Sequence, residues 1–223
     1  VKRFSPFDRD AVEFTMEANP GTTDEEKLAV MREFGVNRIS FGAQSFDDGM
    51  LKAIGRIHSP DDVRRSLELA RKAGFDNLSV DLMFGLPNQT MRHLESSIAE
   101  ALAHDLAHCS IYGLKVEENT LFFEWEKQGL LPLPDQEEDA EMYRLVIDRF
   151  PAAGYRHYEI SNFARPGRES RHNLTYWRNE PYYGLGAGAH GYAGGMRHVN
   201  VKGVSAYIAA ARAGLPRTET IPV

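Results

Sequence analysis

An α/β fold built around a partial parallel (β/α) barrel is predicted by three features of this 223-residue chain. A helix–glycine–strand unit recurs, as FGVNRISFGAQS (34–45), AGFDNLSVDLMF (73–84) and AGYRHYEISNFA (153–164). Its glycines, Gly35, Gly74 and Gly154, are separated by 39 and 80 residues, so one further unit fits between the second and third. Each strand is apolar on one parity and polar or small on the other. Helices alternating with strands at this interval mean βα units and parallel pairing.

The elements follow in order. VEFTMEANP (12–20) reads as a first strand. TDEEKLAVMREF is a helix opened by a Thr23-x-x-Glu26 capping box, and Gly35 supplies the left-handed residue that closes it. SPDDVRRSLELARKA has Ser59 as N-cap and Pro60 at the first helical position. MRHLESSIAEALA and HCSIYGLKVE form the unit between Gly74 and Gly154. DQEEDAEMYRLVIDRF is a helix that Pro151 is expected to end. The barrel region is expected over residues 1–200, with residues 201–223 opening a carboxyl-terminal region.

Consecutive strand residues face opposite sides. Phe14/Met16, Ile39/Phe41 and Leu78/Val80/Leu82 can pack under helices, which leaves Thr15/Glu17, Ser40/Gly42/Gln44, Ser79/Asp81 and His157/Glu159/Ser161 on the other face. A barrel filled with branched side chains would not look like this. The polar face either encloses a polar ligand or forms a structural network.

Composition excludes several classes. Acidic residues outnumber basic ones, 32 to 26, which argues against nucleic acid as a partner. No apolar run reaches the roughly 20 residues that span a bilayer, and no signal peptide opens the chain. Cys109 is the single cysteine, which rules out an internal disulfide and fits a cytoplasmic setting.

Glu17, Gln44 and Asp81 lie toward the carboxyl ends of their strands, where parallel α/β folds bind ligands. Glu17 and Asp81 could also serve as an acid–base pair in a barrel hydrolase or lyase. Arg56, in GRIHS, could reach a carboxylate or stay on the surface. His104 and His108 lack the companions of a metal site and read as a solvated helix end, and Cys109 reads as a packed strand residue. GLGAGAHG (184–191) contains a GxGxxG, but it comes late and opens no helix, so a dinucleotide site is rejected. Its glycines suit backbone that approaches a ligand closely, and RHNLTYW (171–177) reads as a ligand-facing loop.

Seven motifs follow in a set order: EANPG (17–21), FGAQSFDD (41–48), GRIHS (55–59), VDLMFGLPNQT (80–90), HYEISNFARPG (157–167), RHNLTYW and YYGLGAGAH (182–190). Together they resemble the radical SAM family of oxygen-independent coproporphyrinogen III oxidases, and within it the HemW-type haem chaperone branch. The resemblance runs from about residue 12 to 200. It implies a partial barrel of the radical SAM type holding a [4Fe–4S] cluster and S-adenosylmethionine (SAM). Glu17, Gln44, Arg56 and Asp81 match SAM-binding positions, with Lys115 and His190 near further ones. His172, in the His-Asn-x-x-Tyr-Trp motif, is implied as a ligand to haem iron, the haem being cargo for an acceptor protein.

The family's cluster-binding C-x3-C-x2-C and its glycine-rich SAM motif do not occur in these residues. The expectation is a chain lacking its amino-terminal βα units and much of a carboxyl-terminal domain. Its cluster ligands would lie upstream, and it would show no radical chemistry by itself. Ser170 stands where many relatives carry Cys, and Asn88 where Gly is usual. The same resemblance leaves open a true coproporphyrinogen III dehydrogenase, acting by oxidative decarboxylation.

Overall fold

The computed structural model describes residues 12–222, so residues 1–11 of the expected barrel region lie outside it. The described residues form two compact units, one running to Ser170 and one starting at Arg171.

The first unit contains β1 (Thr15–Ala18), α1 (Glu25–Glu33), β2 (Arg38–Gln44), α2 (Asp48–Ala53), α3 (Pro60–Lys72) and β3 (Asn77–Phe84). It continues with α4 (Met91–Ala103), β4 (His108–Gly113), α5 (Leu121–Lys127), α6 (Gln136–Ala152), β5 (Arg156–Glu159) and β6 (Asn162–Ala164). The sheet order is β1-β2-β3-β4-β6-β5, with β1 to β4 parallel. This is the α/β arrangement expected of a partial (β/α) barrel.

The recurring unit has the expected local cause. Gly35, Gly74 and Gly154 all take positive φ, at 92°, 85° and 86°, and turn each helix into the following strand. Ser59 caps α3 in a reciprocal box with Asp62, and Pro60 begins the helix. Two boundaries differ from expectation. Asp24, not Thr23, caps α1, accepting from Lys27 N at 2.8 Å. With the cap one residue later, the amide served is that of Lys27 rather than Glu26, and the carboxylate adds charge at the helix start. Pro151 does not end α6, because in the last turn it forfeits one hydrogen bond that the turn survives. The helix closes through Gly154 N to Pro151 O and Tyr155 N to Phe150 O.

The third copy of the unit departs most. β5 has the direction of the parallel strands but does not touch β4. The chain reverses after Glu159, and β6 slips between them, antiparallel to both. Ser161 therefore sits in a turn, its carbonyl accepting from Ile111 N at 2.7 Å, and leaves the polar parity expected of it.

The parity argument holds for the other strands. Ile39, Phe41, Leu78, Val80, Leu82, Cys109 and Ile111 join one core under the helices with Leu67, Ile98, Val146 and Phe150. The opposite parity carries Arg38, Ser40, Ser79, Asp81, His108 and Ser110.

The second unit comprises α7 (Arg171–Trp177), β7 (His190–Ala193), β8 (Met196–Asn200), α8 (Val204–Ala213) and β9 (Arg217–Pro222). β7, β8 and β9 form an antiparallel sheet, and Gly194 and Gly195, at φ 61° and 72°, make the first hairpin turn. Residue 200, expected as the end of the barrel region, closes β8, and the β8–β9 pairing bridges that point. RHNLTYW is the helix α7, not a loop. The glycines of 184–191 serve their own chain first. A Cβ on Gly184 would lie 2.1 Å from His190 O, so backbone meets backbone there. Buried Asn200 holds the same segment through the carbonyls of Gly184 and Gly186, at 3.1 and 3.0 Å.

Candidate functional site

The polar parity of the first unit forms two registered rows. Glu17 pairs with Ser40, Ser40 with Ser79, and Ser79 with His108. One step further along the strands, Asp81 pairs with Ser110, Ser110 with Asn162, and Asn162 with Glu159. Ser40 Oγ donates to Asp81 Oδ1 at 3.0 Å, which ties the rows together.

Burial raises the Asp81 carboxyl above its ordinary range, opposed by the hydroxyls of Ser40 and Ser110; the Glu17 charge raises it and Arg38 lowers it. Behind it, His108 is buried between Ser79 Oγ at 2.9 Å and Tyr158 OH at 2.8 Å. Burial, helped by the Arg38 charge, lowers it to about 3, so this imidazole is neutral at physiological pH.

At the carboxyl rim, three side chains converge over Gly42. A Cβ on Gly42 would lie 2.9 Å from Gln44 Nε2, 3.6 Å from Arg56 Nη2 and 3.8 Å from Asn19 Oδ1. The pairing of β2 with β3 shifts register between Phe41 and Gln44, and Gln44 takes φ 63°. Such a bulge re-aims a side chain at the end of a strand. Arg56 Nη1 donates to Asn19 Oδ1 at 2.9 Å, and the loop after Asn19 is pinned by Gly21 N donating to Ser66 Oγ at 2.9 Å.

The structure thus brings Glu17, Gln44, Arg56 and Asp81 to one end of one face. A guanidinium, a primary amide and two carboxylates beside open backbone suit a zwitterionic ligand with hydroxyls, which is the chemistry of SAM. Sequence reasoning missed Asn19, although it lies two residues beyond Glu17 on the same parity. Lys115 stands apart in the β4–α5 connection, exposed and paired with Glu117 at 2.8 Å. His190 and His172 belong to the second unit. The His172 ring meets Tyr176 edge-on at 4.6 Å, and Tyr176 meets Tyr182 in the same way at 4.6 Å.

His104 caps the end of α4 and His108 lies in β4, so they share no helix face. Among the described residues no group of three or more His, Cys, Asp and Glu is placed to hold a metal ion. Cys109 is fully buried, and burial pushes its thiol up. A lone inert thiol does not fit an iron–sulfur cluster, which needs several thiolates.

Asp81→Asn separates stability from binding. A carboxyl whose folded pKa is raised binds its proton more tightly in the native state. Native stability therefore falls as pH rises above the ordinary value of 3.8. The asparagine variant is expected to melt at a higher temperature than the parent at pH 7. That advantage should shrink as the pH approaches 3.8, as thermal unfolding across pH would show.

Residues 6–101 match the family model described as the radical SAM superfamily. The chain is 54% identical over 212 residues to the haem chaperone HemW of Bacillus subtilis, covering 95% of this chain and 56% of that protein. It is 46% identical over 199 residues to HemW of Lactococcus lactis, covering 89% and 52%. The coproporphyrinogen III oxidase HemN of Escherichia coli, a radical SAM enzyme, shares the fold at a TM-score of 0.82 and 20% identity, over 100% of this chain and 54% of that one. The chain thus spans about half the length of the curated relatives it matches. These likenesses do not favour an acid–base hydrolase built on Glu17 and Asp81. A parallel βα unit series, a rim of side chains that suit SAM and these relatives point the same way: residues 6–101 match the radical SAM superfamily, and the chain is similar to HemW haem chaperones over 89–95% of its length.

Proposed function

We propose that this chain forms the SAM-holding part of a haem chaperone that passes haem to a haem-requiring acceptor protein in the cytoplasm. The observation that carries the reading is the convergence of Gln44, Arg56 and Asn19 over Gly42, beside the Glu17–Ser40 pair and the Asp81 carboxyl hydrogen-bonded to Ser40. The radical SAM match over residues 6–101 supports SAM and a [4Fe–4S] cluster as cofactors. The cluster's thiolates are not among these 223 residues. When bound, the cluster would supply the electron chemistry of the superfamily. The residues here would hold and orient SAM. Arg56, fixed by Asn19, would take the carboxylate of the methionyl group. Gln44 would add an amide hydrogen bond. Glu17 and Asp81 would take the ribose hydroxyls or the amino group. Lys115 and His190 are further candidates for SAM contact.

The relatives named as haem chaperones, and the His172–Tyr176–Trp177 set on α7, support haem as the cargo. An imidazole is a common axial ligand to haem iron, and aromatic side chains pack against a porphyrin. Titration of the full-length protein with haem, followed at the Soret band, tests this. His172→Ala should weaken binding by more than the roughly tenfold that loss of a ligand's outer partner costs. Unchanged spectra and affinity would remove His172 as the ligand. Among the described residues no helix is long and apolar enough to cross a membrane.

A further inference from the structure

The first unit has a second recess, of whose lining the SAM reading draws on Lys115 alone. The end of α2 and the segment from Lys115 through α5 wall a groove of about 440 Å³. That volume lies within the roughly 300–1,000 Å³ typical of small-molecule sites. Ile54, Val116, Leu121, Phe122 and Trp125 give it apolar sides. α5 buries none of its seven residues; Leu121 is 62% and Trp125 37% exposed. The Phe122 and Trp125 rings lie 5.8 Å apart at a tilt of 30°, so the wall presents flat π surface. A helix that spends its aromatic residues on a groove leaves apolar area for a ligand to cover.

Charge narrows the occupant. Lys52 and Lys115 border the groove, with Glu117 the one acid among its lining residues. Glu117 is engaged with Lys115 at 2.8 Å, while Lys52 makes no ion pair among the described residues. An exposed ammonium beside an apolar wall matches a ligand with a flat apolar body and a carboxylate arm. Gly55 also lines the groove and directly precedes Arg56, so the recess adjoins the rim described above.

We propose that the groove receives a planar macrocycle with carboxylate arms, a dicarboxylic porphyrin, with Lys52 taking a carboxylate and Phe122 and Trp125 lying against the ring. The inference rests on haem as cargo and extends it to the ring and its acid arms; the iron plays no part.

Metal-free deuteroporphyrin is therefore the probe, added to the full-length protein and followed by its fluorescence. Wild type should bind the diacid about tenfold more tightly than its dimethyl ester, the size of effect that a charge-assisted hydrogen bond supplies. Lys52→Glu should lose that preference and Lys52→Arg should keep it. Trp125→Ser should weaken diacid and ester alike, with circular dichroism confirming that each variant is folded. His172→Ala should leave metal-free binding unchanged. Equal binding of diacid and ester by wild type, or indifference to Lys52→Glu, would overturn the groove assignment. Haem binding without metal-free porphyrin binding overturns the groove and spares the cargo reading. Failure of both ligands removes the two together.

Discussion

Arg56→Ala is expected to weaken SAM binding about 30-fold, roughly 2 kcal/mol, the cost of deleting a charge-assisted hydrogen bond to a carboxylate. Calorimetric titration of the full-length, cluster-loaded protein measures it. Arg56 reaches the rim from the segment after α2, and Asn19 fixes its guanidinium at 2.9 Å. Lysine in its place should recover only part of the loss, because an ammonium cannot donate to Asn19 and a carboxylate in the same planar fork. S-adenosylhomocysteine, which keeps the amino-acid end, should lose affinity by a similar factor. An unchanged affinity would place the methionyl carboxylate elsewhere.

Phe150→Ala should be the most damaging core substitution, at about 3–5 kcal/mol measured by urea unfolding. Phe150 is fully buried on α6, with its ring 4.9 Å from Phe163 and 5.5 Å from Tyr155. These contacts join α6 to β6 and to the residue leading into β5. A cavity there should speed hydrogen exchange in β5 and β6 before it does so in β2 and β3. That order would show the hairpin to be held by this aromatic group rather than by its short ladder.

Much of this was legible because it is local or periodic. Alternating parity in RISFGAQ and NLSVDLMF was enough to separate the core face from the polar face, and the helix-closing glycines marked where each strand follows. What escaped detection depends on partners distant in sequence. Nothing in YEISNF contains Gly, Pro or Asn-Gly, so the turn at Ile160–Ser161 leaves no local mark; it follows from pairing with β4 some 50 residues earlier, as in His108 with Ala164. Tyr158, rather than its neighbour His157, joins the buried His108, while His157 stacks on Phe163 at 4.4 Å. Asn19 was passed over because an uncharged amide at the end of the expected VEFTMEANP strand carries no mark of its own; its oxygen accepts from Arg56, a partner 37 residues away. RHNLTYW looked like a loop because its β-branched and aromatic residues favour helix only weakly.

Cys109 has a practical consequence. Being fully buried, with its thiol pushed up, it will resist maleimides and spin-label reagents at neutral pH. These residues are in effect a cysteine-silent background. One thiol introduced at an exposed position before Ser170 and one after Arg171 would take probes cleanly, and the distance distribution between them would report whether adding SAM or haem changes it.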